Sequence, residues 1–278
     1  MRVKINELFS VKGYGVLITG GASGLGLGFA EALADNGASV TILDVNPQRI
    51  AGETARLRAA GYDVRGAVVD VRDHAALDKA VDEAAAAHGR LDVVFANAGI
   101  DSGPGFVGNW VGADRPRNPA GALERYSDER WNQVIEINLN GVFATLRVAA
   151  RHMRPRKSGR IIVTTSLAAL KTEAVIGAAY MAAKAGAAHL MRNVALELAA
   201  DNITVNAIAP GFFITNIGGG HAHDPQLQAA VAKSIPMHRV GHPRDIAGLA
   251  LFLASPASAY LTGQQIVIDG GWGLGEVD

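Results

Sequence analysis

Short apolar runs rich in Val and Ile recur at 15–19, 39–43, 66–69, 91–96, 160–165, 204–207 and 265–268, with longer Ala-rich segments between them. A brief, unbroken apolar run is the pattern of a strand buried on both faces. Helix-length stretches at 25–36, 73–88, 128–153 and 178–200 separate these runs, and a parallel strand pair needs a crossover of about that length. The alternation predicts an α/β fold: one domain over residues 1–278, built on a doubly wound parallel sheet of about seven strands with helices on both faces. Residues 101–127, with Gly, Pro, Trp110 and several charges, interrupt the alternation and read as an irregular insert. Residues 212–240 read as a second loop region, one that meets substrate.

Lys plus Arg and Asp plus Glu are equal at 26 each, so no net field draws the chain onto nucleic acid or an acidic membrane. The absence of cysteine excludes disulfides, thiolate metal sites and cysteine nucleophiles, and fits a reducing compartment, so a cytoplasmic location is expected. The opening MRVKINELFS carries Glu7 among scattered polar residues, and nowhere do about 18 apolar residues run unbroken. Neither signal peptide nor membrane span is expected.

In open parallel sheets ligands bind beyond the carboxyl ends of the strands. After the first strand stands Thr19-Gly20-Gly21-Ala22-Ser23-Gly24-Leu25-Gly26. These glycines permit a tight turn and close approach of a pyrophosphate to a helix N-terminus, or simply strand-to-helix packing. Asp44 ends the second strand, where a carboxylate can accept from adenosine ribose hydroxyls and repel a 2′-phosphate. No Arg or Lys stands at Ala22, Ser23, Val45 or Asn46, so the electrostatics favour NAD over NADP. The other reading of Asp44 is a solvated residue before a helix that starts at Asn46-Pro47.

Tyr180-Met181-Ala182-Ala183-Lys184 sets a phenol and an ammonium one helical turn apart. A nearby cation favours phenolate, which would make Tyr180 a proton acceptor tuned by Lys184, although such a pair also occurs as an ordinary surface contact. Ser166 ends the fifth strand and can hold a substrate oxygen or cap a turn. Asn138 sits among apolar neighbours, where a buried amide needs partners, and can bind a relay water.

Taken in order, these motifs resemble the short-chain dehydrogenase/reductase (SDR) family over nearly the whole chain. The resemblance implies a Rossmann-type fold, a nicotinamide dinucleotide and hydride transfer between a secondary alcohol and its ketone. It implies that Asn138, Ser166, Tyr180 and Lys184 form a catalytic tetrad. It places Gly20, Ser23, Gly24, Leu25 and Gly26 at the coenzyme, with Asp44 at the ribose and Asp70-Val71 beside adenine. Asn97-Ala98-Gly99, Pro210-Gly211, Phe213 and Thr215 complete that set, Tyr180 and Lys184 also touching the coenzyme. Thr262-Gly263 with Asp269-Gly270-Gly271 resembles the family's closing strand. Three departures stand out: Ala96 where the family usually has a further Asn, Thr165-Ser166 in place of paired serines, and the 101–127 insert.

The walls expected around substrate, 101–127, 167–179 and 212–239, are mainly apolar and include Phe106, Trp110, Phe212 and Phe213, which suggests a fairly hydrophobic small molecule. His221-Ala222-His223-Asp224 can be read as metal ligands, but its Gly-rich setting favours a mobile lid, and no metal is expected. The resemblance further implies a homotetramer paired through 128–153 and 178–200, the alternative being that those Ala-rich faces pack within the subunit. The rival functions are an NADPH-dependent ketoreductase, a silent NAD-binding regulator, and a dehydratase or epimerase.

Overall fold

The structure, a computed structural model, describes residues 4–101, 103–108 and 115–275. One parallel sheet runs through it, with strand order β3-β2-β1-β4-β5-β6-β7. The strands are β1 (Gly15–Thr19), β2 (Ser39–Asp44), β3 (Val64–Val68), β4 (Val93–Ala96), β5 (Gly159–Thr164), β6 (Ile203–Pro210) and β7 (Gln265–Ile268). The helices are α1 (Ile5–Leu8), α2 (Gly24–Asp35), α3 (Pro47–Ala59), α4 (His74–His88), α5 (Asp128–Ile135), α6 (Gly141–Met153), α7 (Ala178–Leu198), α8 (Pro225–Ala232) and α9 (Ala247–Ala254). This is the doubly wound Rossmann-type sheet expected from the alternation.

Each central strand feeds two cores because successive side chains point to opposite faces. Leu17, Val94, Ala96, Ile161 and Val205 pack with α4, α6 and α7. Val16, Ile18, Phe95, Ile162 and Ile208 pack with α2, α3 and α9, where Phe29 stacks on Phe95 at 4.8 Å between ring centroids. With both faces covered, alternation in polarity disappears, which is why these strands read as continuous apolar runs.

Two elements differ from the expectation. β3 begins two residues before the expected 66–69 and ends one before it, because an edge strand keeps Arg65 within its ladder; at Gly66 a Cβ would come within 2.6 Å of Thr54 Oγ1 and 2.9 Å of Ile50 Cγ2 on α3. The expected single helix over 128–153 is broken by a π turn at Glu136–Asn140, marked by the Gly141 N–H donating to the Glu136 carbonyl. One extra residue in the turn rotates Asn138 inward toward the loop after β4. Beyond that loop the 101–127 segment is irregular in its described parts: Gly105 and Val107 donate to Val175 and Ala174, and two 3-10 turns lead into α5. Trp110 lies outside the described residues.

Candidate active site

The carboxyl ends of β1, β2, β4, β5 and β6 open onto one cavity of about 1010 Å³. Every site residue anticipated from the sequence lines it except Asn138, which stands behind its wall.

In one half of the cavity the glycine turn leads into α2. Gly20 and Gly24 have φ of +64° and +54°, where side chains are strained. At Gly26 a Cβ would overlap the Gly20 carbonyl and lie 2.5 Å from Asn97 Nδ2. Asn97 fastens this turn: Nδ2 donates to the carbonyls of Thr19 (3.0 Å) and Gly20 (3.1 Å), and Oδ1 accepts from Thr164 Oγ1 (2.9 Å). Thr19 Oγ1 accepts from the N–H groups of Asn97 and Ala98, lacing β1 to β4. Ser23, at the N-cap of α2, makes no side-chain capping bond, so the first amides of a twelve-residue helix are left for an anion. A cradle that a single Cβ would fill, at a helix N-terminus, fits a dinucleotide pyrophosphate.

Asp44, at the end of β2, lines the cavity and is held by backbone donors. Its oxygens accept from the N–H groups of Ala22 (3.2 Å) and Asn46 (3.1 Å), while Asn46 caps α3 by accepting from Arg49 N at 2.9 Å. Arg49, on the first turn of α3, also lines the cavity. Asp70 is gripped by the Arg72 guanidinium at 2.6 to 3.0 Å, which holds its carboxyl below the usual range despite partial burial. Val71 packs against Gly141, where a Cβ would come within 2.7 Å of it. Across the cavity Thr215 stands over Gly24, and Phe213, nearly buried, bridges to Gly241.

In the other half, Ser166 Oγ accepts from Ala168 N at 3.1 Å, capping a 3-10 turn, and also hydrogen-bonds the Tyr180 phenol. Ser166 is thus a cap that also lines the cavity. Lys184 is buried, its Nζ donating to the Thr164 carbonyl at 2.8 Å and standing 5.6 Å from the Tyr180 ring centroid. Burial pushes the Lys184 ammonium down to about 8. Burial also pushes the Tyr180 phenol above its ordinary value; the Ser166 hydrogen bond opposes this and the Asp101 charge adds to it. The lowering expected from Lys184 is thus not the dominant effect, because desolvation weighs on both groups and Lys184 gives its hydrogen bond to a carbonyl.

Asn138 is fully buried and uses its amide twice on one residue: Oδ1 accepts from Ile100 N (2.8 Å) and Nδ2 donates to Ile100 O (2.7 Å). Through these two bonds it clamps the loop carrying Gly99. Asn138→Ala is expected to lower stability by about 1–3 kcal/mol, since two partly buried backbone groups lose their partners; a denaturant midpoint measures it.

The substrate side of the cavity carries polar groups among apolar ones. Val107, Val175, Ile176, Leu167 and Phe212 are joined by Asp101, Arg130, Gln133, Glu173 and His221, while half-exposed Phe106 is turned to Arg117 and does not line the cavity. His221 Nδ1 contacts the Gly218 carbonyl (2.7 Å) and His223 Nε2 the Asn216 side chain (3.0 Å). Both rings are engaged within their own loop, and among the described residues no group of three His, Asp or Glu gathers as a metal site.

A family model described as enoyl-(acyl carrier protein) reductase matches residues 20–273. The chain belongs to the short-chain dehydrogenase/reductase family. It is 36% identical over 260 residues to a 3-oxoacyl-[acyl-carrier-protein] reductase of Chlamydia pneumoniae, covering 92% of this chain and 95% of the relative. It is 33% identical over 267 residues to 5-keto-D-gluconate 5-reductase of Escherichia coli, covering 96% and 98%. Among solved structures, a gluconate 5-dehydrogenase from Burkholderia cenocepacia in complex with NADP and tartrate superposes with a TM-score of 0.84 at 32% identity, covering 97% and 98%.

As a member of the SDR family the protein is an oxidoreductase acting on CH–OH groups. Within this SDR site, sequence reasoning missed Thr164, Arg49, Arg130, Glu173 and Trp272. Thr164 was visible as the polar end of an apolar strand. Trp272 comes from the turn after β7, where Asp269 accepts from the N–H groups of Gly271 (2.9 Å) and Gly273 (2.7 Å).

Proposed function

We propose that the protein interconverts a secondary alcohol and its ketone with NAD as coenzyme, Tyr180 serving as the acid and base. The observation that carries this reading is the placing of Tyr180, Ser166 and Lys184 in the same cavity as the glycine turn. Bound nicotinamide supplies the hydride acceptor for oxidation and the hydride donor for reduction. In oxidation the Tyr180 phenolate takes the proton of the carbinol hydroxyl, and Ser166 orients that oxygen by donating to it. Lys184 stabilises the phenolate and holds the nicotinamide ribose. Asn138 keeps Gly99 and Ile100 in place beside them. Reduction runs the same proton path backwards.

Asp44 supports NAD, because a carboxylate at the ribose repels a 2′-phosphate. A second reading, an NADPH-dependent ketoreductase, is favoured by Arg49 lining the cavity and by the NADP bound to the gluconate 5-dehydrogenase relative. Nicotinamide absorbance with each coenzyme, across secondary alcohols and ketones, tests both. The expected result is turnover with preference for NAD(H), diminished in Asp44→Ala; preference for NADP(H), lost in Arg49→Ala, would establish the second reading. We also read the protein as a homotetramer, a reading supported by the partly exposed Trp131 and Phe143 of α5 and α6 and by the largely exposed Leu196 of α7.

A further inference from the structure

Beyond the reacting carbinol, the cavity holds charged groups whose charges are already balanced. Asp101 follows the loop after β4; its Oδ1 accepts from Gly103 N at 2.5 Å and has the Arg130 guanidinium 4.0 Å away. Its Oδ2 faces the 217–223 loop: a Cβ on Gly218 would meet that oxygen at 2.5 Å and His221 Nδ1 at 2.9 Å. Among the described residues no donor is hydrogen-bonded to Oδ2. The Asp101 charge is felt at the Tyr180 phenol, so the carboxylate acts on the reaction centre. Glu173 also lines the cavity, with Lys171 Nζ at 3.2 Å, and Lys171 in turn stands 5.8 Å from the Trp272 ring centroid.

Ionised carboxylates only accept hydrogen bonds. Because Arg130 and Lys171 already face them, an ammonium or a carboxylate on the substrate would bring in a charge without a counter-ion, which a partly buried site resists. Hydroxyl groups satisfy acceptors without adding charge. Trp272, Val175 and Leu167 offer apolar surface to the carbon skeleton between them.

We infer that the substrate is a neutral polyhydroxylated molecule whose hydroxyl beside the reacting carbinol donates to Asp101, an inference that rests on the alcohol oxidation proposed above. Asp101 then sets specificity, and the expected fairly hydrophobic substrate is replaced by one with an apolar ring or chain and polar edges.

The test compares trans-cyclohexane-1,2-diol with cyclohexanol, and a hexitol with hexan-2-ol, using wild type, Asp101→Leu and Asp101→Asn with NAD and NADP. A hydrogen bond to a carboxylate is strong enough that wild type is expected to favour each polyol by about 100-fold in kcat/KM. In Asp101→Leu that ratio should collapse toward unity, and in Asp101→Asn, which keeps an acceptor oxygen and the contact to Gly103, it should recover substantially. A structural role would lower both substrates together and leave the ratio unmoved, overturning the inference. Deoxy alcohols turned over as well as the polyols would also overturn it while leaving the oxidoreductase reading intact. Failure to bind either coenzyme in a fluorescence titration would remove both.

Discussion

Tyr180→Phe is expected to cut turnover by about 10²–10⁴-fold in both directions, the range for loss of a positioned acid or base. Phenylalanine keeps the ring where Lys184 Nζ lies 5.6 Å from its centroid and removes only the hydroxyl that meets Ser166. Coenzyme affinity, read by fluorescence titration, should therefore change little, and near-normal rates would remove Tyr180 from the mechanism. The pH dependence has a definite sign. Burial holds the phenol above its ordinary value, so oxidation, which needs phenolate, gains rate as pH rises. Reduction needs the phenol and loses rate over the same interval. Above about 8 the free protein also loses the Lys184 charge, which withdraws support from the phenolate.

Gly26→Ala is the second large effect. The added methyl would meet the Gly20 carbonyl and Asn97 Nδ2, and neither can move without loosening the bonds from Asn97 to Thr19 and Gly20. Overpacking of this kind costs about 1–3 kcal/mol in stability. Coenzyme affinity should fall at least about tenfold, since 1.4 kcal/mol of distortion at the pyrophosphate cradle suffices. Gly52→Ala in α3 is the matched control: a Cβ there meets nothing within 4 Å, so stability should rise by up to about 1 kcal/mol. Thermal unfolding of the two variants measures the contrast, and equal effects would show that the cradle has slack.

Much of this arrangement was written in local pattern. Apolar runs without alternation specified strands covered on both faces, and β1 and β7 begin and end where those runs do. The glycine turn, Asp44 and Ser166 were legible because each follows or ends a strand, and a parallel sheet delivers all such ends to one edge; Tyr180 was legible from its one-turn spacing to Lys184 on α7. Edge strand β3 was misplaced for the opposite reason: with one side open it admits Arg65 and Gly66, and the apolar signal weakens. The π turn in 128–153 was invisible, since periodicity carries no record of one inserted residue when its neighbours remain helical.

What the sequence determined by itself was the doubly wound sheet, the edge on which the cavity opens, and the residue types gathered there. Those follow from periodicity and from the position of each motif relative to its strand, both of which are local. Only the tertiary structure decided that Asn138 spends its amide on Ile100, that Lys184 bonds Thr164, and that burial raises the Tyr180 phenol. It likewise decided that Asp101, Arg130, Glu173 and Trp272, contributed by four separate segments, share one cavity. Hydrogen-bond partners and desolvation depend on which distant segments meet, and residue spacing along the chain does not encode that.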